Sequence, residues 1–237
     1  MTFAELVEWF QTTEDITTKV LEHARLSFFP VVAALAVALP VGLYVGHRRR
    51  FEFLAVTLAN LGRAIPSFAI VALALPISIR LGLGLGFWPT FAALFFLAVP
   101  PIFVNTYIGV VNVDPDAVEA GRGMGFTEGQ VLRGIELPLG MPLIVTGVRT
   151  AAVQSVATAT LAALVAGGGL GDYIRLGFRS GDGAALLGGA ILVALMALVT
   201  EVALGWVERR VRRAGGEELA PFEEVAQTPR AAEGYVA

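Results

Sequence analysis

Apolar residues fall along this chain in long, nearly unbroken blocks separated by short polar or arginine-rich intervals. The first block, 26–45, supplies the roughly 20 apolar residues that a helix needs to cross a bilayer core of about 30 Å. It is halted by His47-Arg48-Arg49-Arg50. A second block, 53–79, is longer and carries Pro66 and Pro76, which remove backbone donors and are expected to kink or break the helix. Arg80 and the glycines at 82, 84 and 86 then turn the chain into a third block, 87–111, with Pro89, Pro100 and Pro101. A fourth covers 143–166, and a fifth, 184–207, ends in Glu208-Arg209-Arg210-Val211-Arg212-Arg213. The pattern predicts an all-α, polytopic membrane protein of about five transmembrane helices.

Arginine placement orients these spans, because short basic loops are retained in the cytoplasm. With five spans, the triplet 48–50, the loop holding Arg122 and Arg133, and the cluster 209–213 fall on one side, which is read as the cytoplasm. Residues 1–25 then form an external amphipathic lead-in, and the glycine-rich segment 167–183 is also outside, although it carries Arg175 and Arg179. No cleavable signal is evident, and the first span is expected to serve as an uncleaved anchor. The domain reading is therefore a lead-in at 1–25, a transmembrane domain at 26–213 with a cytoplasmic loop at 112–142, and a mobile cytoplasmic tail at 214–237. The tail has too little apolar surface to offset the cost of ordering.

Composition narrows the function classes. Apolar residues make up 56% and charged residues 16%, proportions that fit a bilayer protein better than a soluble domain. Net charge is −3, with no basic face or interleaved aromatics, which argues against a nucleic-acid partner. There is no cysteine, so disulfides and thiolate metal sites are excluded. The two histidines, His23 and His47, lie at opposite ends of one span, and no catalytic or metal constellation is expected. A phosphate-binding loop needs a lysine after glycine, but the only lysine is Lys19 in Thr18-Lys19-Val20. Any ATPase must therefore be another subunit. The glycine clusters also fail the dinucleotide spacing and are read as helix-packing or loop residues.

The interval 112–142 carries its own local code. Asp114-Pro115-Asp116 reads as a helix start: Asp114 caps, Pro115 suits the first helical position, and Asp116 complements the positive end of the dipole. That helix is expected to stop near Gly121 to Gly125. Thr127-Glu128-Gly129-Gln130 reads as a second start with capping-box spacing. Two short helices with a glycine joint would make a rigid strut at the membrane surface.

Within that strut, Glu119-Ala120 is followed by Gly125 and then by Ile135-Glu136-Leu137-Pro138. This spacing resembles the EAA loop of ABC importer permeases, the loop that presses on a separate ATPase subunit. The resemblance implies an ABC importer permease (MetI-like) fold and a coupling role for Glu119, Ala120, Gly121, Gly125, Ile135, Leu137 and Pro138. Gly121 replaces the usual second alanine, a loss of one methyl that can loosen the helix by up to about 1 kcal/mol.

Further segments resemble one branch of these permeases, importers of quaternary-amine osmoprotectants such as glycine betaine, choline and carnitine. They include Glu22-His23, Ala64-Ile65-Pro66-Ser67, Asn105-Thr106-Tyr107, Gly147-Val148-Arg149-Thr150-Ala151, Thr158-Ala159-Thr160-Leu161 and Gly167-Gly168-Gly169-Leu170-Gly171. Val104 stands where an arginine is expected and Arg63 where a glutamine is expected, both beside expected pore-lining positions. The candidate translocation path comprises Pro66, Ser67, Asn105, Tyr107, Gln154 and Thr158. Thr150, Gln154 and Thr158 recur at helical spacing, with Gly147 and Ala151 placed on the same side; this face reads either as pathway or as helix-to-helix hydrogen bonding. Arg63 and Arg149 are expected near cytoplasmic span ends, snorkelling or pairing with acids such as Glu119.

Trp9, Trp88, Trp206 and Tyr107 are too scattered for an aromatic cage, and Trp88 and Trp206 suit interface belts. Selectivity is therefore expected in an extracytoplasmic substrate-binding protein. The resemblance also implies ABC ATPase subunits that use the ATP, a second permease copy or homologous permease, and a bacterial or archaeal plasma (inner) membrane. No cofactor is expected in this chain. Alternatives are an ABC permease for methionine or another small solute and, from other classes, a membrane-embedded enzyme or a passive channel.

Overall fold

The computed structural model describes residues 2–49, 53, 57 and 66–214. Its elements in chain order are α1 (Phe3–Thr12), α2 (Ile16–Arg48), α3 (Ser67–Arg80), α4 (Phe87–Val111), α5 (Pro115–Gly123), α6 (Glu128–Val131), a π-helical turn (Leu132–Glu136), α7 (Leu137–Thr158), a 3-10 segment (Ala159–Val165), α8 (Gly171–Ser180) and α9 (Gly183–Ala214). The protein is an all-helical, multi-pass membrane protein. Among the described residues, four stretches are long and apolar enough to cross a bilayer: Ile16–Arg48, Phe87–Val111, Glu128–Val165 and Gly183–Arg213. Of the expected span 53–79, the described part is chiefly α3, a helix of 14 residues. Arg63, Ala64, Ile65 and the tail 215–237 lie outside the described residues.

Two boundaries differ from the apolar pattern. The first spanning helix begins at Ile16, not near Leu26, and its 33 residues extend about 50 Å at 1.5 Å per residue. Its polar first turns belong to the helix because they are anchored from outside: Lys19 pairs with Asp172 at 2.9 Å, and Glu22 accepts from the Gly169 amide at 2.9 Å. The span predicted from the fourth apolar block, hence the fourth span, begins at Glu128, not near Leu143. Its first turns are exposed and polar, so they do not register as membrane sequence. The wide π-helical turn ends at Glu136, two residues before Pro138, which has no amide to donate to the preceding turn.

The core is a three-helix contact of α2, α4 and α7. Val31, Ala34, Ala38 and Val45 meet Ala98, Ile102, Phe103 and Tyr107, with Ala151 closing the cluster from α7. Helices in lipid gain little from apolar burial against one another, so close approach of small residues supplies the association. At the α4–α7 crossing the backbones themselves touch: a β-carbon on Gly109 would lie 2.8 Å from the Gly140 carbonyl oxygen, and one on Gly140 2.8 Å from that of Gly109. The outer surfaces of α2 and α9 remain apolar, with Phe28, Val37, Leu198, Val199 and Val202 exposed. Trp206 and Trp88 lie exposed near helix ends, and the Arg210 guanidinium stacks 4.2 Å from the Trp206 ring centroid. This is the arrangement of an aromatic and basic membrane interface.

Candidate coupling loop and transport surfaces

The loop after α4 folds as its local code predicts at the start. The Asp116 amide donates to Asp114 Oδ1 at 2.9 Å, Pro115 takes the first helical position, and α5 runs to Gly123. Gly125 has φ +86°, and the Phe126 amide closes back on the Gly121 carbonyl at 3.1 Å. The Thr127 amide then donates to Gln130 Oε1 at 2.8 Å, which starts α6. Beyond this point the chain departs from the expected pair of short helices on a hinge. Only α5 is separate, while α6 grows through the π-helical turn into the fourth span.

A small apolar cluster of Val113, Val118 and Val131, with Ile135 against it, holds α5 to the base of that span. Gly121 is buried there, and a β-carbon on it would overlap Ile135 Cδ1, the mobile end of a flexible side chain. Gly121 and Ile135 thus meet each other inside the chain. Glu119, Ala120, Gly125 and Pro138 are exposed, and Leu137 is half-buried. Met124 and Phe126 add exposed apolar surface at the same tip, with 69% and 40% of their areas accessible.

His47, at the end of α2, is clamped to this loop. Its Nδ1 lies 2.5 Å from Glu136 Oε2, and its Nε2 lies 3.1 Å from Glu128 Oε2. The Glu136 carboxylate is only 1% exposed. Glu128 also takes two hydrogen bonds from the Arg122 guanidinium, at 3.1 Å and 3.0 Å, which hold the Arg122 pKa above its ordinary value. A continuous polar chain therefore runs from α5 through α6 and the π-helical turn to the first span.

Arg149 does not pair with Glu119. It reaches from α7 to α9, where its guanidinium donates to Glu208 at 2.7 Å and to Glu201. Glu208 also accepts from Arg212 at 3.1 Å. Charged groups within spans are costly unless paired, and this network provides the pairing.

The candidate path residues occupy different environments. Pro66 is exposed at the cap of α3, and Ser67 is half-buried. Asn105 donates to the Pro101 carbonyl at 2.8 Å and lies against Gly147. Tyr107 is 8% exposed in the three-helix core. Gln154 is exposed, and Thr158 is half-buried where α7 gives way to the 3-10 segment. Gly147 and Ala151 are buried, whereas Thr150 and Gln154 are exposed, so the four do not share one environment. The Thr150 hydroxyl donates to Thr146 in its own helix at 2.9 Å, a local bond in place of the helix-to-helix alternative.

At the opposite end, Glu22 and His23 meet the glycine-rich segment. His23 is fully buried, its Nε2 2.8 Å from the Val156 carbonyl oxygen, and its Nδ1 receives the Leu170 amide at 3.3 Å. The neutral tautomer protonated at Nε2 satisfies both bonds. Tyr173 donates to Asp15 at 2.5 Å; burial and then that carboxylate raise its pKa. These contacts seat α8 on the N-terminal end of α2.

Residues 38–213 match the family model described as the binding-protein-dependent transport system inner membrane component. The chain belongs to this family. It is 35% identical over 215 residues to the choline transport system permease protein OpuBB of Bacillus subtilis strain 168, covering 90% of this chain and 97% of that one. It is 37% identical over 210 residues to the carnitine transport permease protein OpuCD of Listeria monocytogenes serotype 1/2a strain 10403S, covering 88% and 92%. A third relative, the glycine betaine/carnitine/choline transport system permease protein OpuCB of Bacillus subtilis strain 168, is 34% identical over 212 residues, covering 89% and 95%. The fold matches an inward-facing structure of the MetNI methionine ABC transporter with a TM-score of 0.72 at 21% identity, over 89% of this chain and 99% of that chain.

The protein is thus a multi-pass permease component of a transport system. Sequence reasoning placed the Asp114 helix start and the Thr127 to Gln130 cap in its loop but missed the clamp behind them. His47 and Glu136 are 89 positions apart, and no periodicity couples them. The available signal was an acid between Ile135 and Leu137 in an otherwise apolar motif, an ionisable residue that calls for a partner when buried.

Proposed function

We propose that this permease carries quaternary-amine osmoprotectants, such as glycine betaine, choline or carnitine, across a bacterial or archaeal plasma membrane. Movement is by alternating access, driven by separate ABC ATPase subunits that bind and hydrolyse ATP. The observation that carries the solute class is the set of relatives at 34–37% identity along nearly their whole lengths. A methionine permease is less favoured, because the likeness to the methionine transporter is one of fold at 21% identity.

In this reading the exposed face of α5 and its tip, with Glu119, Ala120, Gly125, Met124 and Phe126, seats in the ATPase. Gly121, Ile135, Leu137 and Pro138 support that face from behind. The clamp through Glu128, His47 and Glu136 passes its displacement to the first and fourth spans. Pro66, Ser67, Asn105, Gln154 and Thr158 remain the proposed path, while Tyr107 acts through packing. A second permease copy or a homologous permease completes the pathway, since one chain carries a single such loop. An extracytoplasmic binding protein delivers the solute.

The test is reconstitution of the chain with its ATPase and binding protein in vesicles. ATP-dependent uptake of labelled glycine betaine, choline or carnitine is expected. Uptake of methionine alone, or solute flux independent of ATP, would overturn the proposal.

A further inference from the structure

Between the 3-10 segment and α8, at the end of the protein that the arginine distribution reads as external, lies a cavity of about 710 Å³, within the usual size range of small-molecule sites. Its α8 wall presents Arg175, Phe178 and Arg179, spaced so that all three share one helix face. No acidic residue lines it.

The arginines retain unused hydrogen-bonding capacity. Arg175 Nε is buried with no partner, and the Arg175 Nη2 contact to Asp172 is long, at 3.4 Å. Asp172 is already engaged by Lys19 at 2.9 Å. Arg179 is exposed and meets no carboxylate among the described residues. The Phe178 ring is 78% exposed beside them. Across the cavity, the Thr160 hydroxyl is spent on the Ala157 carbonyl at 3.0 Å, so that wall offers mainly apolar surface.

Resting on the osmoprotectant reading above, we propose that this cavity is a solute-selective vestibule for zwitterions that carry both a methylated ammonium and a carboxylate. The carboxylate binds the guanidinium groups of Arg175 and Arg179, while the methylated ammonium lies over the Phe178 ring. A solute with the ammonium but no carboxylate, such as choline, offers these two positive charges only a neutral hydroxyl oxygen, a weaker acceptor without compensating charge. The permease therefore adds its own discrimination, favouring glycine betaine over choline, beyond that of a binding protein.

The test uses the complete complex in vesicles, with labelled glycine betaine and choline taken up in parallel. Because the same binding protein serves every variant, its preference cancels when uptake ratios are compared. Arg175→Gln combined with Arg179→Gln is expected to lower the glycine betaine to choline ratio about tenfold, the scale of one lost charge-assisted hydrogen bond. Arg175→Lys combined with Arg179→Lys, which keeps the charge, is expected to recover most of the ratio, and Phe178→Leu to reduce uptake of both solutes. Recovery of assembled complex and its ATPase rate report folding. A Gln variant that assembles but loses both solutes equally, or keeps the wild-type ratio, overturns the vestibule alone. A wild-type complex that transports neither solute overturns the osmoprotectant reading and this inference with it.

Discussion

His47 Nδ1 and Glu136 Oε2 are 2.5 Å apart, joining the C-terminal end of the first span to the base of the fourth. Glu136 is almost wholly buried, so the imidazole replaces the water that its carboxylate loses on folding. His47→Ala leaves that carboxylate without its partner and is expected to destabilise the protein by about 3 kcal/mol. Glu136→Gln, which retains a polar acceptor, should cost less. Thermal unfolding in detergent checks the order of the two, and the solute moved per ATP hydrolysed checks whether the clamp transmits motion. Equal coupling in wild type and a folded His47→Gln variant would remove that role.

Gly125 is required by backbone conformation alone. It has φ +86°, yet a β-carbon there would meet nothing within 4 Å. Gly125→Val is therefore expected to strain the turn by at least about 1–2 kcal/mol and to displace the tip, whereas Gly125→Asn should be tolerated. Transport and ATPase rates of assembled complexes distinguish them. Glu119→Ala, which leaves the backbone unchanged, is expected to weaken recovery of the ATPase without lowering thermal stability.

The charge network of Arg149 orders its own mutants. Glu208 has a side-chain exposure of 10% and accepts from Arg149 and Arg212, while Glu201 is 39% exposed. Glu208→Gln should therefore reduce thermal stability more than Glu201→Gln. Arg149→Met removes the cation that bridges Glu201 and Glu208, leaving Glu208 with Arg212 alone, and should be the most damaging single change, partly relieved when Glu201→Leu and Glu208→Leu are added. A double-mutant cycle on unfolding midpoints measures the coupling.

The arginine distribution predicts topology. Reporter fusions after residues 50, 130 and 213 should all register as cytoplasmic, with the N-terminus outside. An external signal at any of them would overturn that orientation.

By itself the sequence determined the class and the local punctuation. Long apolar blocks must leave water, and the Asp114-Pro115-Asp116 start and the Thr127 to Gln130 cap act within a few residues, so each was legible without a fold. The helix ends at Ile16 and Glu128 were not, because polar first turns look like loop until distant partners anchor them. The tertiary structure alone decided that Arg149 faces Glu201 and Glu208, that Gly121 fills against Ile135, and that Glu136 is held by His47. Periodicity reports which face of a helix turns inward, but burial of a charge is settled by whichever distant group arrives to satisfy it.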